Sequence, residues 1–257
     1  MDDSSASIPA LASDQPPDDF AARVRAVRAR VAAAAQRAGR SPDDVLIVAV
    51  SKTVDAERVR AAYELGLKTF GENRVQEARA KIGALHLPLL RWELIGHLQS
   101  NKVARATELF TRIQSVDSPS LARALDAQAA RLGRQLPVLL EVNVAGEATK
   151  YGLPPAGLVE TARTVAALPH LRVEGLMTVA PLCPNAEQVR PVFRQLRALR
   201  DDLRRELPTS AWPHLSMGMT DDFEVAIEEG ATIVRIGRAL FGERPSADTA
   251  GQASGLR

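Results

Sequence analysis

The chain has 257 residues, 46% of them hydrophobic, enough to bury a sizeable core at the upper end of what one domain holds. Its 33 Lys and Arg against 31 Asp and Glu leave a formal charge of only +2, which gives no support for a nucleic-acid partner, and aromatics at 4% are too few for an aromatic-rich β sandwich. A single cysteine, Cys183, excludes an intramolecular disulfide framework and a multi-cysteine zinc site. The N-terminus lacks a basic stretch followed by an apolar one, and no apolar run approaches the ~18 residues of a membrane helix, so the expectation is a cytoplasmic protein with no membrane partner.

Residues 1–17, rich in Asp, Ser and Pro, read as a disordered tail, and the stretch 246–257 reads the same way. Between them lies one unit, 18–245, that opens with a helix marked by Phe20, Val24, Val27 and Val31. Eight short β-type runs then follow: VLIVAV (45–50), KTFGE (68–72), RWELIG (91–96), TRIQSVD (111–117), LPVLLEVNV (136–144), LRVEGLMTV (171–179), HLSMG (214–218) and IVRIG (233–237). Several are continuously apolar, the pattern of strands covered on both faces. Helical segments alternate with them. Asp55 can cap a helix carrying Val59, Ala62 and Tyr63, Ser118 with Pro119 starts another that Gly133 ends, and Val189, Val192, Phe193, Leu196, Leu199 and Leu203 form one apolar stripe. Thr220 is the expected N-cap of the helix after the seventh strand. Eight alternating βα units in about 220 residues fit a closed (β/α)₈ TIM-type barrel, and the absence of G-x-G-x-x-G after any strand argues against an open dinucleotide-binding sheet.

In such a barrel, chemistry sits at the carboxyl ends of the strands. Lys52, just past the first strand, is there either a partly desolvated nucleophilic amine able to condense with an aldehyde, or a lysine snorkelling to solvent. The loops Ser216–Asp222 and Ile236–Gly242 follow strands seven and eight, where barrels often bind phosphate; otherwise their glycines simply make tight turns. An anion site and a Schiff-base lysine on one mouth suit pyridoxal phosphate, and equally a sugar-phosphate aldolase. Histidines 86, 170 and 214 have no metal-like spacing, no metal site is expected, and Cys183 reads as inert. His97 reads either as a hydrogen-bonding group near the ligand or, by preference, as stabilising the Gln99–Asn101 turn, and Asp221 and Asp222 as complementing the dipole in the first turn of a helix.

The blocks Ala49–Thr53, Phe70–Glu77, Ile95–Lys102, Leu215–Asp222 and Val234–Gly237 together resemble the pyridoxal phosphate homeostasis protein family, whose fold is that of the alanine racemase N-terminal domain. The resemblance runs from about Phe20 to Pro245. It implies that Lys52 holds pyridoxal 5′-phosphate as an internal aldimine, that Thr220, Gly237 and Arg238 lie at the phosphate, and that Asn73 lines the ring pocket with Ser216 and Met217 nearby. It also implies that Arg235 faces the pyridine nitrogen, which an always-charged guanidinium keeps unprotonated, weakening the ring as an electron sink. Many relatives carry a small hydroxyl residue where this chain has Arg238. Lys150, on the loop after the fifth strand near Asn143, matches a lysine of relatives and reads either as a secondary aldehyde-binding amine or as a solvated loop residue.

A racemase of this fold needs a second acid/base group, which alanine racemases take from a C-terminal β domain, whereas this chain ends about twenty residues after its eighth strand. Neither Tyr63 nor Tyr151 is an obvious substitute. The expectation is therefore a monomeric cofactor carrier with no catalytic residue, delivering pyridoxal phosphate to apo-enzymes that use it. The enzymatic alternative is a weakly active single-domain racemase or aldolase.

Overall fold

Each of the eight apolar runs forms a strand in the computed structural model, which describes residues 19–243. They are β1 (Leu46–Val50), β2 (Thr69–Glu72), β3 (Arg91–Leu94), β4 (Arg112–Val116), β5 (Leu136–Glu141), β6 (Leu171–Met177), β7 (His214–Ser216) and β8 (Ile233–Ile236). The strands stop up to three residues short of the expected carboxyl ends, where the chain leaves the barrel to build the rim. The stretches read as disordered tails lie outside the described residues.

All neighbouring strands are parallel and sequential, and β8 returns to β1 with Leu46 opposite Ile233 and Ala49 opposite Ile236. The sheet closes as a (β/α)₈ barrel. Around it lie α2 (Ala56–Glu64), α3 (Val75–Ala84), α4 (Val103–Leu109), α5 (Pro119–Arg131), α6 (Leu158–Ala166), α7 (Arg190–Glu206), α8 (Phe223–Glu228) and α9 (Arg238–Phe241). The Asp55 carboxylate accepts from the Arg58 amide and the Ser118 hydroxyl from that of Leu121, as their capping positions require.

The extra helix α1 (Phe20–Arg37) buries Phe20, Val24, Val27 and Val31 and packs across α8 and α9. Phe20 stacks on Phe241 at 5.7 Å, Arg23 donates to the Leu240 carbonyl, and Arg30 pairs with Glu224. These contacts tie the first helix to the last two and brace the short elements that follow β7 and β8.

The large core lies between strands and helices, and a second, small apolar cluster of Val48, Leu139, Met177 and Ile233 fills part of the barrel interior. The rest of the interior is polar. Glu93, Gln114, Ser216 and Arg235 are all buried there. No helix among the described residues is long and apolar enough to cross a membrane.

Candidate functional site

The first residue on the rim is the lysine singled out in the sequence. Lys52 is half-buried in a turn closed by the Val54 amide donating to the Ser51 carbonyl at 2.9 Å. Thr53, next in that turn, has φ +66°, a left-handed conformation that is costly for a β-branched residue. The turn is pinned from behind. Lys81 of α3 donates to the Ser51 carbonyl (2.5 Å) and to Glu72 Oε1 (2.7 Å), which also accepts from the Ser51 hydroxyl (2.6 Å). Glu72 is fully buried, and its Oε2 has no hydrogen-bond partner.

Beside Lys52 on the rim stand the ends of β8 and β7. Gly237 lies against Val50, and a side chain there would sit 3.5 Å from the Val50 carbonyl oxygen. The Thr220 hydroxyl accepts from the Ala239 amide at 3.4 Å, which joins the two loops. Thr220 is not the N-cap expected of it. After Gly218, at φ +92°, the chain makes one further turn over 219–222, so α8 begins later, with Asp222 at its cap position and its carboxylate accepting from the Met219 amide. Asp221 is likewise not in the helix: it pairs with Arg238, which also approaches Glu243 (3.6 Å). The Arg238 guanidinium is therefore committed to surface carboxylates, leaving its backbone as the part that can face an anion at the rim.

Ser216 and Met217, expected at the pocket, are both fully buried. The Ser216 hydroxyl is fully buried and held between Gln114 and Arg235, while Met217 packs its side chain into the core and donates its amide to the Ile233 carbonyl. Arg235 is 4% exposed, donating to Ser216 Oγ (2.6 Å) and to the Thr178 carbonyl (2.8 Å). Burial pulls its guanidinium down to about 10, opposed by Glu141 and Asp222, so it stays charged at neutral pH.

The opposite side of the mouth is hollow. A cavity of about 240 Å³ is lined by Asn73, His97, Glu141, Asn143, Lys150 and Tyr151, among others, and an outer one of about 580 Å³ shares Asn73, Gly96, His97 and Tyr151 with it. Of the expected site residues, Asn73 and Lys150 line this hollow, whereas Lys52, Thr220, Arg235 and Gly237 stand outside both linings, on the β7–β8–β1 side. Gly96 is needed here because a Cβ would lie 2.5 Å from the Asn73 carbonyl oxygen. Asn143 ties the loop over the mouth, donating to the Glu147 and Lys150 carbonyls, and Lys150 reaches Glu147 at 2.6 Å and the Val179 carbonyl at 3.4 Å. His97 does not serve the Gln99–Asn101 turn. Its Nδ1 meets Asp117 at 2.9 Å, and its ring stacks on Tyr151 at 3.7 Å.

With this geometry in view, the comparisons are direct. A model of the alanine racemase N-terminal domain matches residues 23–245. The pyridoxal phosphate homeostasis protein of Aquifex aeolicus is 49% identical over 222 residues, covering 86% of this chain and 97% of that protein. The chain belongs to the pyridoxal phosphate homeostasis protein family. The family member of Pseudomonas aeruginosa is 46% identical, covering 88% of this chain and 96% of its own. Among solved structures, PipY of Synechococcus elongatus with PLP bound superimposes with a TM-score of 0.78 at 39% identity, covering 87% of this chain and all of PipY. An alanine racemase of Clostridium difficile, with a TM-score of 0.70 at 16% identity over 90% of this chain and 58% of its own, shares the fold.

Beyond the motifs that mark this family, the structure adds residues that sequence reading passed over. Glu141 ends β5, is 8% exposed, and is pushed up to about 7 by burial and by Asp117, with Arg235 opposing. A charge closing the apolar run LPVLLE was the available signal. Because the folded protein keeps this proton while the unfolded chain has lost it, the contribution is fully present below the ordinary glutamate range and is lost as pH rises through about 7. The loss is on the order of 3 kcal/mol. Urea denaturation at pH 5 and pH 8 should show Glu141→Gln losing less stability across that interval than the parent chain; an identical pH dependence would refute the assignment.

Proposed function

We propose that this chain binds pyridoxal 5′-phosphate at the barrel mouth and serves its homeostasis in the cytoplasm, holding the cofactor and passing it to apo-enzymes rather than turning over a substrate. The observation that carries this reading is the match along the whole of PipY, a protein solved with PLP bound, at 39% identity. The donor set fits such a molecule. One rim segment offers an amine at Lys52, and the adjoining one a hydroxyl at Thr220 with the backbone of Gly237 and Arg238, suited to an aldehyde and a phosphate respectively. Bound there, the group supplies an aldehyde that condenses with a lysine amine and releases water.

The roles of this chain's own residues follow. Lys52 is the covalent anchor, and the Thr220 hydroxyl and the Gly237–Arg238 backbone hold the phosphate. Asn73 bounds the ring side just past β2, and Ser216 and Met217 back the pocket. Arg235 presents only donors and remains charged, so a ring nitrogen facing it gains no proton, which favours holding over carbanion chemistry. Lys150 is the secondary amine on the loop over the mouth. The binding unit is 18–245. We take the protein to act as a monomer, because among the described residues the exposed large apolar side chains, Leu89, Leu132, Tyr151 and Leu182, fall on four separate segments of the chain.

Borohydride reduction of cofactor-loaded protein followed by peptide mass spectrometry should place a pyridoxyl group on Lys52, and loaded protein with Lys52 unmodified would sink the claim. Exchange of amino-acid α-protons in D₂O at about 1 per second or faster would overturn the carrier reading in favour of the racemase.

A further inference from the structure

A chain of buried hydrogen bonds crosses the barrel interior from its amino end to its mouth. At the amino end, Arg112 donates to Glu93 Oε1 at 2.8 Å and pairs with Glu174. Glu93 Oε2 accepts from the Gln114 amide nitrogen at 2.5 Å. Gln114 Oε1 accepts from the Ser216 hydroxyl at 2.6 Å, and Ser216 Oγ accepts from Arg235 at 2.6 Å. Gln114 of β4 thus reaches across the barrel to Ser216 of β7, and both are fully buried.

The bonds run in one sense from end to end. Burial raises the Glu93 carboxyl above its ordinary range against the opposing pull of Arg112 and Gln114, and Arg112 bridges it to Glu174, which also pairs with Arg172. Glu93 accepts from Arg112 through Oε1 and from the NH₂ end of Gln114 through Oε2, which leaves the Gln114 carbonyl end for Ser216. A carbonyl oxygen only accepts, so the single hydroxyl proton of Ser216 is spent on it. The Ser216 lone pairs then face Arg235, whose guanidinium can only donate.

We propose that Gln114 is a positioning residue for Arg235: it fixes Ser216 as an acceptor and so holds the guanidinium in one orientation at the mouth. Gln114 acts through Ser216, without touching the ligand. The proposal rests on the reading that the mouth binds pyridoxal phosphate with Arg235 at its ring nitrogen.

The test compares Gln114→Leu, Gln114→Glu, Ser216→Ala and the double variant Gln114→Leu/Ser216→Ala. Pyridoxal phosphate affinity is measured by equilibrium dialysis, the pH titration of the bound cofactor's absorbance is followed, and urea stability is recorded in parallel. Gln114→Leu and Ser216→Ala should each weaken binding on the order of 10-fold, the scale of one hydrogen bond to a charged group, and shift the titration. The double variant should be no weaker than the worse single one, because both lie on one path. Gln114→Glu keeps an acceptor for Ser216 while facing Glu93 with a second carboxyl. It should lose stability yet bind within about 2-fold of the parent, whereas a purely structural glutamine would lose binding in step with stability. If Gln114→Leu does not fold, Gln114→Glu and Ser216→Ala carry the same distinction. Unchanged affinity and titration in Gln114→Leu and Ser216→Ala, or losses that multiply in the double, would overturn the proposal. A parent chain with no pyridoxyl group on Lys52 would instead overturn the reading beneath it.

Discussion

Replacing Arg112 with methionine is expected to cost about 3–5 kcal/mol of stability at neutral pH, the usual penalty for removing one partner of a buried ion pair. Arg112 is 14% exposed and serves two carboxylates, Glu93 at 2.8 Å and Glu174 at 2.8 Å, with His214 Nε2 at 3.4 Å. Without it Glu174 keeps Arg172, itself largely exposed, while Glu93 keeps the neutral amide of Gln114 and the weaker influence of the Arg91 charge. The sign of the pH effect follows. Glu93 already sits above the ordinary carboxylate range because burial disfavours its charge, and losing Arg112 removes the largest influence opposing that burial. Its folded-state pKa rises further, so the extra penalty is absent below the unfolded range and grows as pH rises through the folded value. Urea unfolding, followed through the buried Trp92 and Trp212, should therefore show the gap between Arg112→Met and the parent narrowing from pH 8 to pH 5. A loss below about 1 kcal/mol, or a gap independent of pH, would contradict this account.

The barrel was legible because its signals are local. Eight apolar runs between amphipathic segments need no knowledge of what they touch, and caps such as Asp55 and Ser118 announce helix starts within four residues. The rim lysine was legible for the same reason, as a charge two residues past LIVAV. What failed was whatever depends on residues far apart in the chain. Thr220 had the chemistry of an N-cap, but the left-handed Gly218 redirects the backbone and leaves that position to Asp222. His97 pairs with Asp117 twenty residues on and stacks on Tyr151, neither of which its own turn reveals. Gln114 and Ser216 are separated by 102 positions and meet only because the sheet closes on itself. Interior polar residues of a barrel look, in sequence, like the solvent face of an ordinary strand.

The turn that carries Lys52 shows how such distant contacts act on a locally visible residue. Lys81→Met is expected to cost about 3–5 kcal/mol, since it removes the cation that reaches the fully buried Glu72 carboxylate at 2.7 Å, beside the Ser51 hydroxyl. It also removes one of the two donors on the Ser51 carbonyl, the atom that closes the turn. Thr53 sits in that turn at φ +66°, where a non-glycine residue costs about 1–2 kcal/mol, and glycine adopts the same conformation freely. Thr53→Gly should therefore raise stability, by about 1 kcal/mol after its greater freedom in the unfolded chain is counted. If Lys81 holds the turn against that strain, the two substitutions are coupled: Lys81→Met should cost less in the Thr53→Gly background, and the rate at which Lys52 acquires a borohydride-trapped pyridoxyl group, slowed on the order of 10-fold by Lys81→Met, should partly recover there. Strict additivity in both stability and trapping rate would mean that the ion pair merely fastens α3 to the barrel. Coupling in both would mean that the lysine behind the strand presents the lysine in front of it.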